Sequence, residues 1–555
     1  MTPNDIRSVQ NAPMTRVCLF AALALVCAAL APVTPAQAAL ETLVQDDASL
    51  LHRPTEQVRG SMQKLRSLGV DRVRLTANWS VLTRDPDAER KPAGFDARDP
   101  GAYVQARWLE LDQAVRLAQE TGLKVMIDIG FWAPHWATND PPGPRARTNI
   151  DPQAFADFAV AVAGRYSGRW EPSALVAPAP PPSPDESLLD GVFGAPPAPQ
   201  APVLVSAAPL PRVDQFVLWN EPNHPSLLLP QWTRSRGELR PSSPVQYARM
   251  VRAAYPAAKA FRPDADFLLG NTSSDGGRPP LGSVAPLLFI REMACVDRDL
   301  RPLRRPACKN YEPLPGDGWA HHPYPRQVRP DRGDADRPDN VRIGTLDRLS
   351  KLLRQLAERE RIGRRLQRIH ITEFGYETSP IEGRPTLSQA TQARWLTWAE
   401  YLASEVPGVV TFAQFLLRDL PPGPVRVSTS VRRGFGEYYT GLQTIHGEDK
   451  LAATSFTAGL FAQRLTERKV RLWGRLRLGS GEKAVTIERR HGNDHWRRLT
   501  TLTVDGQSAF SLTTGHVRGA LYRLRWPRAH GRRGAGLPIK VVRANPKPGS
   551  TEGRQ

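Results

Sequence analysis

Short apolar runs alternate along this chain with longer stretches in which apolar residues recur every three to four positions. Residues 41–45, 72–76, 124–129, 215–219, 266–270, 318–322, 368–372 and 409–417 are rich in Val, Ile, Leu and Phe and read as buried strands. Between them, 55–68, 103–121, 152–166, 244–261, 284–294, 341–359 and 388–405 carry the helical period, and 452–465 reads as a closing helix. About eight strand–helix units in series predict a closed (β/α)8 barrel of the TIM type, an α/β fold, rather than a doubly wound sheet. Near residue 470 the period changes to two. VRLWGRLRL, KAVTIERR, WRRLTTLTV, SAFSLTT and ALYRLRW alternate, separated by turns such as Gly479-Ser480-Gly481 and Asp505-Gly506, and predict a small antiparallel β-sandwich.

The expected layout is therefore a leader over 1–38, a barrel over 39–465, a sandwich over 468–538 and a basic, frayed tail over 539–555. The leader reads MTRVCLFAALALVCAALAPVTPAQA from Met14, with Arg16, an apolar centre and an Ala36-Gln37-Ala38 end. That is the pattern of a cleaved secretory signal starting at Met14, and it implies an exported or wall-associated protein. The centre is short for a membrane span of about 20 residues, and Pro32 and Pro35 interrupt it. Residues 171–212 contain APAPPPSPDES and GAPPAPQAP. Proline at that density supplies few backbone donors, so an extended or disordered insert is expected. Because it joins a helix to the next strand, it belongs on the face of the barrel opposite the βα loops.

Cysteine usage fits export. Cys18 and Cys27 lie in the leader, which leaves Cys295 and Cys308 as one expected disulfide. No Cys/His cluster has metal-ligand spacing, so neither a metal nor a cofactor is expected. The formal charge is +20 and the pI near 10.3. The arginines are scattered and locally balanced by acids, with no recognition motif, so nucleic acid is not an expected partner. A basic exported chain would still linger on an anionic wall or acidic polysaccharide.

The chemistry lies in two glutamates. Glu221 follows the apolar run Phe216-Val217-Leu218-Trp219 within WNEPN, and Glu373 follows Ile369-His370-Ile371-Thr372. Two carboxylates at strand ends suit glycosidic bond cleavage, which needs one group to protonate the leaving oxygen and one to attack the anomeric carbon. Whichever of the two serves as acid should have a raised pKa, and the other should stay ionised. Arg74 and Tyr324 are groups that hold a carboxylate charged and aimed, and Asn220 could donate to a sugar 2-hydroxyl. Trp79, Trp132, Trp136 and Trp232 follow strand ends, where an indole face can stack on a pyranose. Asp128 ends the third strand as either a ligand or a loop anchor.

These motifs resemble the clan A glycoside hydrolases, the (β/α)8 group that holds cellulase-like family 5 and β-xylosidase-like family 39, over about residues 41–465. The resemblance implies Glu221, after Asn220, as acid/base at the end of strand four, and Glu373 as nucleophile at the end of strand seven. It further implies substrate-side roles for Arg74 in VRLTANW and for His322 and Tyr324 in His322-Pro323-Tyr324. Gly130-Phe131-Trp132 stands where family 5 often has a histidine, and Phe412-Ala413-Gln414-Phe415 ends strand eight where many members carry a tryptophan. The sandwich resembles immunoglobulin-like domains of exported actinobacterial proteins, through Glu488-Arg489-Arg490 followed by Trp496. The resulting expectation is a secreted, retaining O-glycosyl hydrolase, monomeric and off the membrane once its leader is removed. Its substrate would be a poly- or oligosaccharide, a cell-wall glycan among the candidates. The alternative is a non-catalytic carbohydrate-binding or wall-associated protein on the same scaffold.

Overall fold

A computed structural model describes residues 34–35, 39–143, 145–176, 203–206, 208–235, 237–378, 386–420, 438–527 and 533–543. Eight parallel strands close into a barrel: β1 (Glu41–Gln45), β2 (Arg72–Asn78), β3 (Lys124–Gly130), β4 (Gln215–Leu218), β5 (Asp266–Ser273), β6 (Gly318–His322), β7 (Ile369–Ile371) and β8 (Val409–Phe415). They are hydrogen-bonded in that order, and β8 pairs with β1 to complete the ring. The helices that follow each strand are α1 (Thr55–Ser67), α2 (Gln105–Glu120), α3 (Pro152–Arg165), α4 (Ser243–Phe261), α5 (Pro286–Met293), α6 (Leu346–Glu358), α7 (Gln389–Ser404) and α8 (Leu451–Thr457). Among the described residues no helix is long and apolar enough to cross a membrane.

Strand alternation puts chemistry inside the ring. On β2, Val73, Leu75 and Ala77 belong to the apolar layer under the helices, while the intervening Arg74 is wholly buried on the other side of the strand. One end of the lumen is filled by Leu43, Met126, Val217, Leu268, Ala320 and Ala413. Polar side chains gather at the opposite, C-terminal end.

The expected closing helix over 452–465 is corrected. Only Leu451–Thr457 is helical, and β9 (Ala458–Arg464) then joins the C-terminal sheets. Its run Ala458-Gly459-Leu460-Phe461-Ala462 is buried throughout, because it is covered on both faces, so strand and helix cannot be told apart by period. The boundary between barrel and sandwich thus falls at Thr457, not near 465. The strands β10 (Lys469–Leu476), β11 (Glu482–Arg490), β12 (Arg497–Asp505), β13 (Ala509–Gly515) and β14 (Leu521–Pro527) follow the period-two runs. One sheet holds β13, β10 and β9, and the other holds β12, β11 and β14. The tail does not begin at 539: Ile539–Lys540 pairs with β14, and Val542 bridges to Gln463.

The proline-rich insert has an ordered base. Ser173–Val176 pairs antiparallel with Val203–Ser206 between α3 and β4, and residues 177–202 lie outside the described residues, as does nearly all of the leader. Cys295 and Cys308 form the expected disulfide, with Cα atoms 5.5 Å apart.

Candidate active site

Glu373 leaves the end of β7 with both carboxylate oxygens held by donors. Arg74 Nη1 donates to Oε1 at 2.7 Å and the Tyr324 hydroxyl donates to Oε2 at 3.1 Å. Arg74 is wholly buried, and burial works against its charge. The neighbouring Asp128 (2.6 Å from Nη2) and Glu373 outweigh that penalty and keep the guanidinium protonated. Burial pushes Asp128 up to about 6, against the opposing pull of Arg74, to which the wholly buried Asp128 is bound through Oδ2. Gln45, at the end of β1, also accepts from Arg74. Burial next to Glu373 holds the Tyr324 phenol well above its usual pKa, so it remains a donor.

Four residues of WNEPN, Trp219, Asn220, Glu221 and Asn223, have separate surroundings. The Trp219 indole is buried, edge-on to Phe155 at 5.5 Å, with Nε1 donating to Leu227 O. Asn220 Oδ1 accepts from Arg74 Nη2 at 2.9 Å, and its Nδ2 has no partner among the described residues. Asn223 ties the loop to the β5 end through Ser273 and Val284. Trp219 (φ 77°), Glu221 (φ 38°) and Asn271 (φ 49°) all sit in left-handed backbone, a cluster of strained residues at one rim of the barrel.

Glu221 Oε1 lies 2.9 Å from His322 Nδ1, and His322 Nδ1 is 3.6 Å from Glu373 Oε2. One ligand-type atom each from Glu221, His322 and Glu373 lies within 4.8 Å of the others. Among the described residues this is the one Glu/His group close enough to hold a metal. Both nitrogens of His322 already face protein groups and a guanidinium occupies the Glu373 side, an arrangement suited to a shared proton rather than a cation.

Two expectations change here. Burial alone would raise Glu221, but the hydrogen bond and charge of His322, aided by His224 and Arg74, outweigh it and leave its pKa lowered. Glu221 is therefore coupled to a histidine rather than isolated in an apolar pocket. His322 itself is wholly buried, with Nε2 on Asn271 Oδ1 at 2.9 Å and Nδ1 on Glu221, so it presents no open surface of its own at the rim. Trp79 is also corrected: it is fully buried and stacks on Phe158 at 5.3 Å, because the Asn78-capped helical turn it opens rotates it into the core. Trp132 remains half-buried beneath Arg145, with Nε1 on Ser226 O. Trp136 lines an open groove of about 740 Å³ between the loops after β3 and β4. Trp232 lies in the loop after β4 and donates to Gly282 O.

The sequence reading missed Gln45, Thr372 and above all Asn271. Asn271 ends the run Phe267-Leu268-Leu269-Gly270, the same signal of a polar residue closing an apolar strand that marked Glu221.

No family model and no curated protein matches this chain. Solved structures align with it only distantly. An FMN-binding β-glucuronidase from Facaelibacterium prausnitzii L2-6 aligns at 12% identity and TM-score 0.37, over 93% of this chain and 57% of its own. An endo-β-1,4-mannanase from Thermotoga petrophila aligns at 11% and 0.38, over 92% and 99%. A GH5_18 protein from Bifidobacterium longum subsp. infantis aligns at 14% and 0.41, over 76% and 78%. The chain thus spans little more than half of that β-glucuronidase. Likeness at this level does not bear on what the chain does.

Proposed function

We propose that this chain is an exported retaining glycoside hydrolase acting on a poly- or oligosaccharide. The observation that carries the reading is the closeness of the two glutamates: an oxygen of Glu221 and one of Glu373 lie within 4.8 Å at the C-terminal rim of the barrel. Retaining enzymes hold their carboxyls about 5–5.5 Å apart, whereas inverting ones leave about 6.5–9.5 Å for a water. The environments are also unequal, as two roles require. Arg74 and Tyr324 hold Glu373 as an aimed carboxylate, and Glu221 shares a proton with His322.

In the first step a Glu373 oxygen bonds to the anomeric carbon while the bond to the leaving oxygen breaks, and Glu221 delivers its proton to that oxygen. In the second, Glu221 removes a proton from water, which displaces Glu373 with net retention. Asn220 Nδ2, without a partner among the described residues, is a group available to a sugar 2-hydroxyl. Export rests on the leader pattern over residues 14–38.

The test separates the glutamates. Glu373→Ala should abolish turnover of every glycoside, with partial rescue by azide. Glu221→Ala should barely cleave natural glycans yet give a burst with a dinitrophenyl glycoside, whose leaving group needs little protonation. Equal loss on both substrate types, with no trapped intermediate, would show that the roles are misassigned or that the barrel only binds carbohydrate.

A further inference from the structure

Asn271 lies near the end of β5 and is wholly buried at the centre of the site. Its backbone carbonyl accepts from Glu221 N at 3.0 Å. Its side chain touches four groups. Nδ2 donates to Asn220 Oδ1 at 2.7 Å and to Trp219 O at 3.3 Å, while Oδ1 accepts from Thr372 Oγ1 at 2.7 Å and faces His322 Nε2 at 2.9 Å.

The polarity of this chain of bonds is set by groups that have no choice. Arg74 can only donate, and it points Nη2 at Asn220 Oδ1, which makes that atom the oxygen. The Asn271 atom beside an oxygen must then be its NH2, and the Trp219 carbonyl, which can only accept, requires the same from a second direction. The atom left facing His322 Nε2 is therefore an oxygen, so Nε2 must carry a hydrogen. It follows that Nδ1, 2.9 Å from Glu221 Oε1, is the ring nitrogen left without a fixed hydrogen and turned to that carboxylate.

We propose that Asn271 is a positioning residue that locks His322 in its Nε2–H tautomer, so that Nδ1 and Glu221 share the single proton the site delivers as acid. This rests on the reading of Glu221 as the proton donor. At the start of the reaction the proton lies between Nδ1 and Oε1. It passes to Oε1 and on to the leaving oxygen, which leaves His322 neutral with its Nε2–H intact. When Glu221 later takes a proton from water, Nδ1 shares it again. His322 is faced by Glu373 from β7 and by Glu221 from β4, with Asp128 on β3, Arg74 on β2, and His321 and Tyr324 of its own segment nearby. His224 acts on the other side of the pair, through Glu221.

The experiment joins a readout that needs no substrate to one that does. Nitrogen-15 histidine spectra of the wild type, with His322→Gln to assign the ring, should show a protonated Nε2 throughout and an Nδ1 that alone titrates. Asn271→Gly keeps the left-handed backbone but deletes the amide, and should populate both tautomers. Asn271→Asp restores an acceptor for Nε2–H, and should recover the tautomer while moving the alkaline limb of kcat upward in pH. On glycosides with poor leaving groups Asn271→Gly should lose about 100-fold in kcat, at the low end of general acid effects, but less than about threefold on a dinitrophenyl glycoside. An Nδ1–H tautomer in the wild type, or Gly and Asp variants that behave alike in the spectra, would overturn the proposal. Absence of any wild-type glycoside turnover would instead count against the glycosidase reading, because the spectra decide the tautomer without it.

Discussion

The seam between the barrel and the C-terminal sheets supports a sharp stability prediction. Arg475 and Arg477 on and just after β10 reach under the barrel to Glu400 on α7, the one carboxylate paired with either of them among the described residues. Arg477 donates to Glu400 Oε1 at 2.5 Å, to Thr42 Oγ1 at 2.9 Å and to Phe456 O at 2.7 Å. Arg475 Nε is 3.3 Å from the same carboxylate oxygen, and burial, compounded by Arg477, pushes its pKa down to about 10. The three side chains are 3%, 1% and 7% exposed, so solvent cannot replace the lost anion. Glu400→Gln preserves the shape and leaves two buried guanidiniums facing each other. Removing one partner of a buried ion pair costs about 3–5 kcal/mol, and the amide oxygen retained by Gln favours the lower value. With an unfolding entropy of about 2.1 cal/mol/K per residue over roughly 500 residues, 3 kcal/mol corresponds to about 3 °C in Tm. Urea titration and thermal melting at pH 7 measure both quantities. Adding Arg475→Met to Glu400→Gln should recover at least half of the loss, since it removes the surplus charge. Turnover at 25 °C should be unchanged, because Thr42 lies near the start of β1, away from the C-terminal rim that carries Glu221. A Glu400→Gln protein as stable as wild type, or a double variant no better than the single one, would refute the reasoning.

Three further outcomes are expected. In protein lacking residues 1–38, Cys295→Ser with Cys308→Ser should lower stability by about 3 kcal/mol, from the loop entropy of a 13-residue separation, and unreduced, unfolded wild type should show no free thiol. Replacing residues 177–202 by a short turn on the Ser173–Val176 ladder should leave kcat/KM within about twofold, as the αβ connections lie opposite the chemistry; a large rise in KM would contradict that placement. Because the folded pKa of Glu221 is depressed, its contribution is complete above its unfolded value, about 4.3, and disappears as pH falls through the lower folded value. Glu221→Gln should therefore flatten the acid limb of the stability curve, and an unchanged limb in urea titrations between pH 3 and 6 would argue against the His322 pairing.

Much of this protein is written locally. Apolar runs of five to nine residues alternating with helical periods were enough for eight strands, seven of the eight barrel helices and the short strands beyond residue 469, because burial on one face or on both leaves a mark in sequence. Glu221 and Glu373 could be singled out for a related reason, since a polar residue that ends a buried strand must emerge where strands end together, whereas Arg74, inside β2, and Tyr324 were reached through the resemblance. The pairing of Cys295 with Cys308 needed only counting. What depended on tertiary structure was direction and partnership. Trp79 and Trp132 both follow strand ends, yet a single capped helical turn sends the first into the core. Ala458–Arg464 is apolar enough for either period, and only the sheet waiting beside it makes it a strand. His322 and Asn271 come from separate strands, and their roles exist only because closing the ring places Asn271 Oδ1 2.9 Å from Nε2 and Glu221 2.9 Å from Nδ1. A sequence records which side chains must be buried, but the polarity of a hydrogen-bond chain is decided by which buried groups meet.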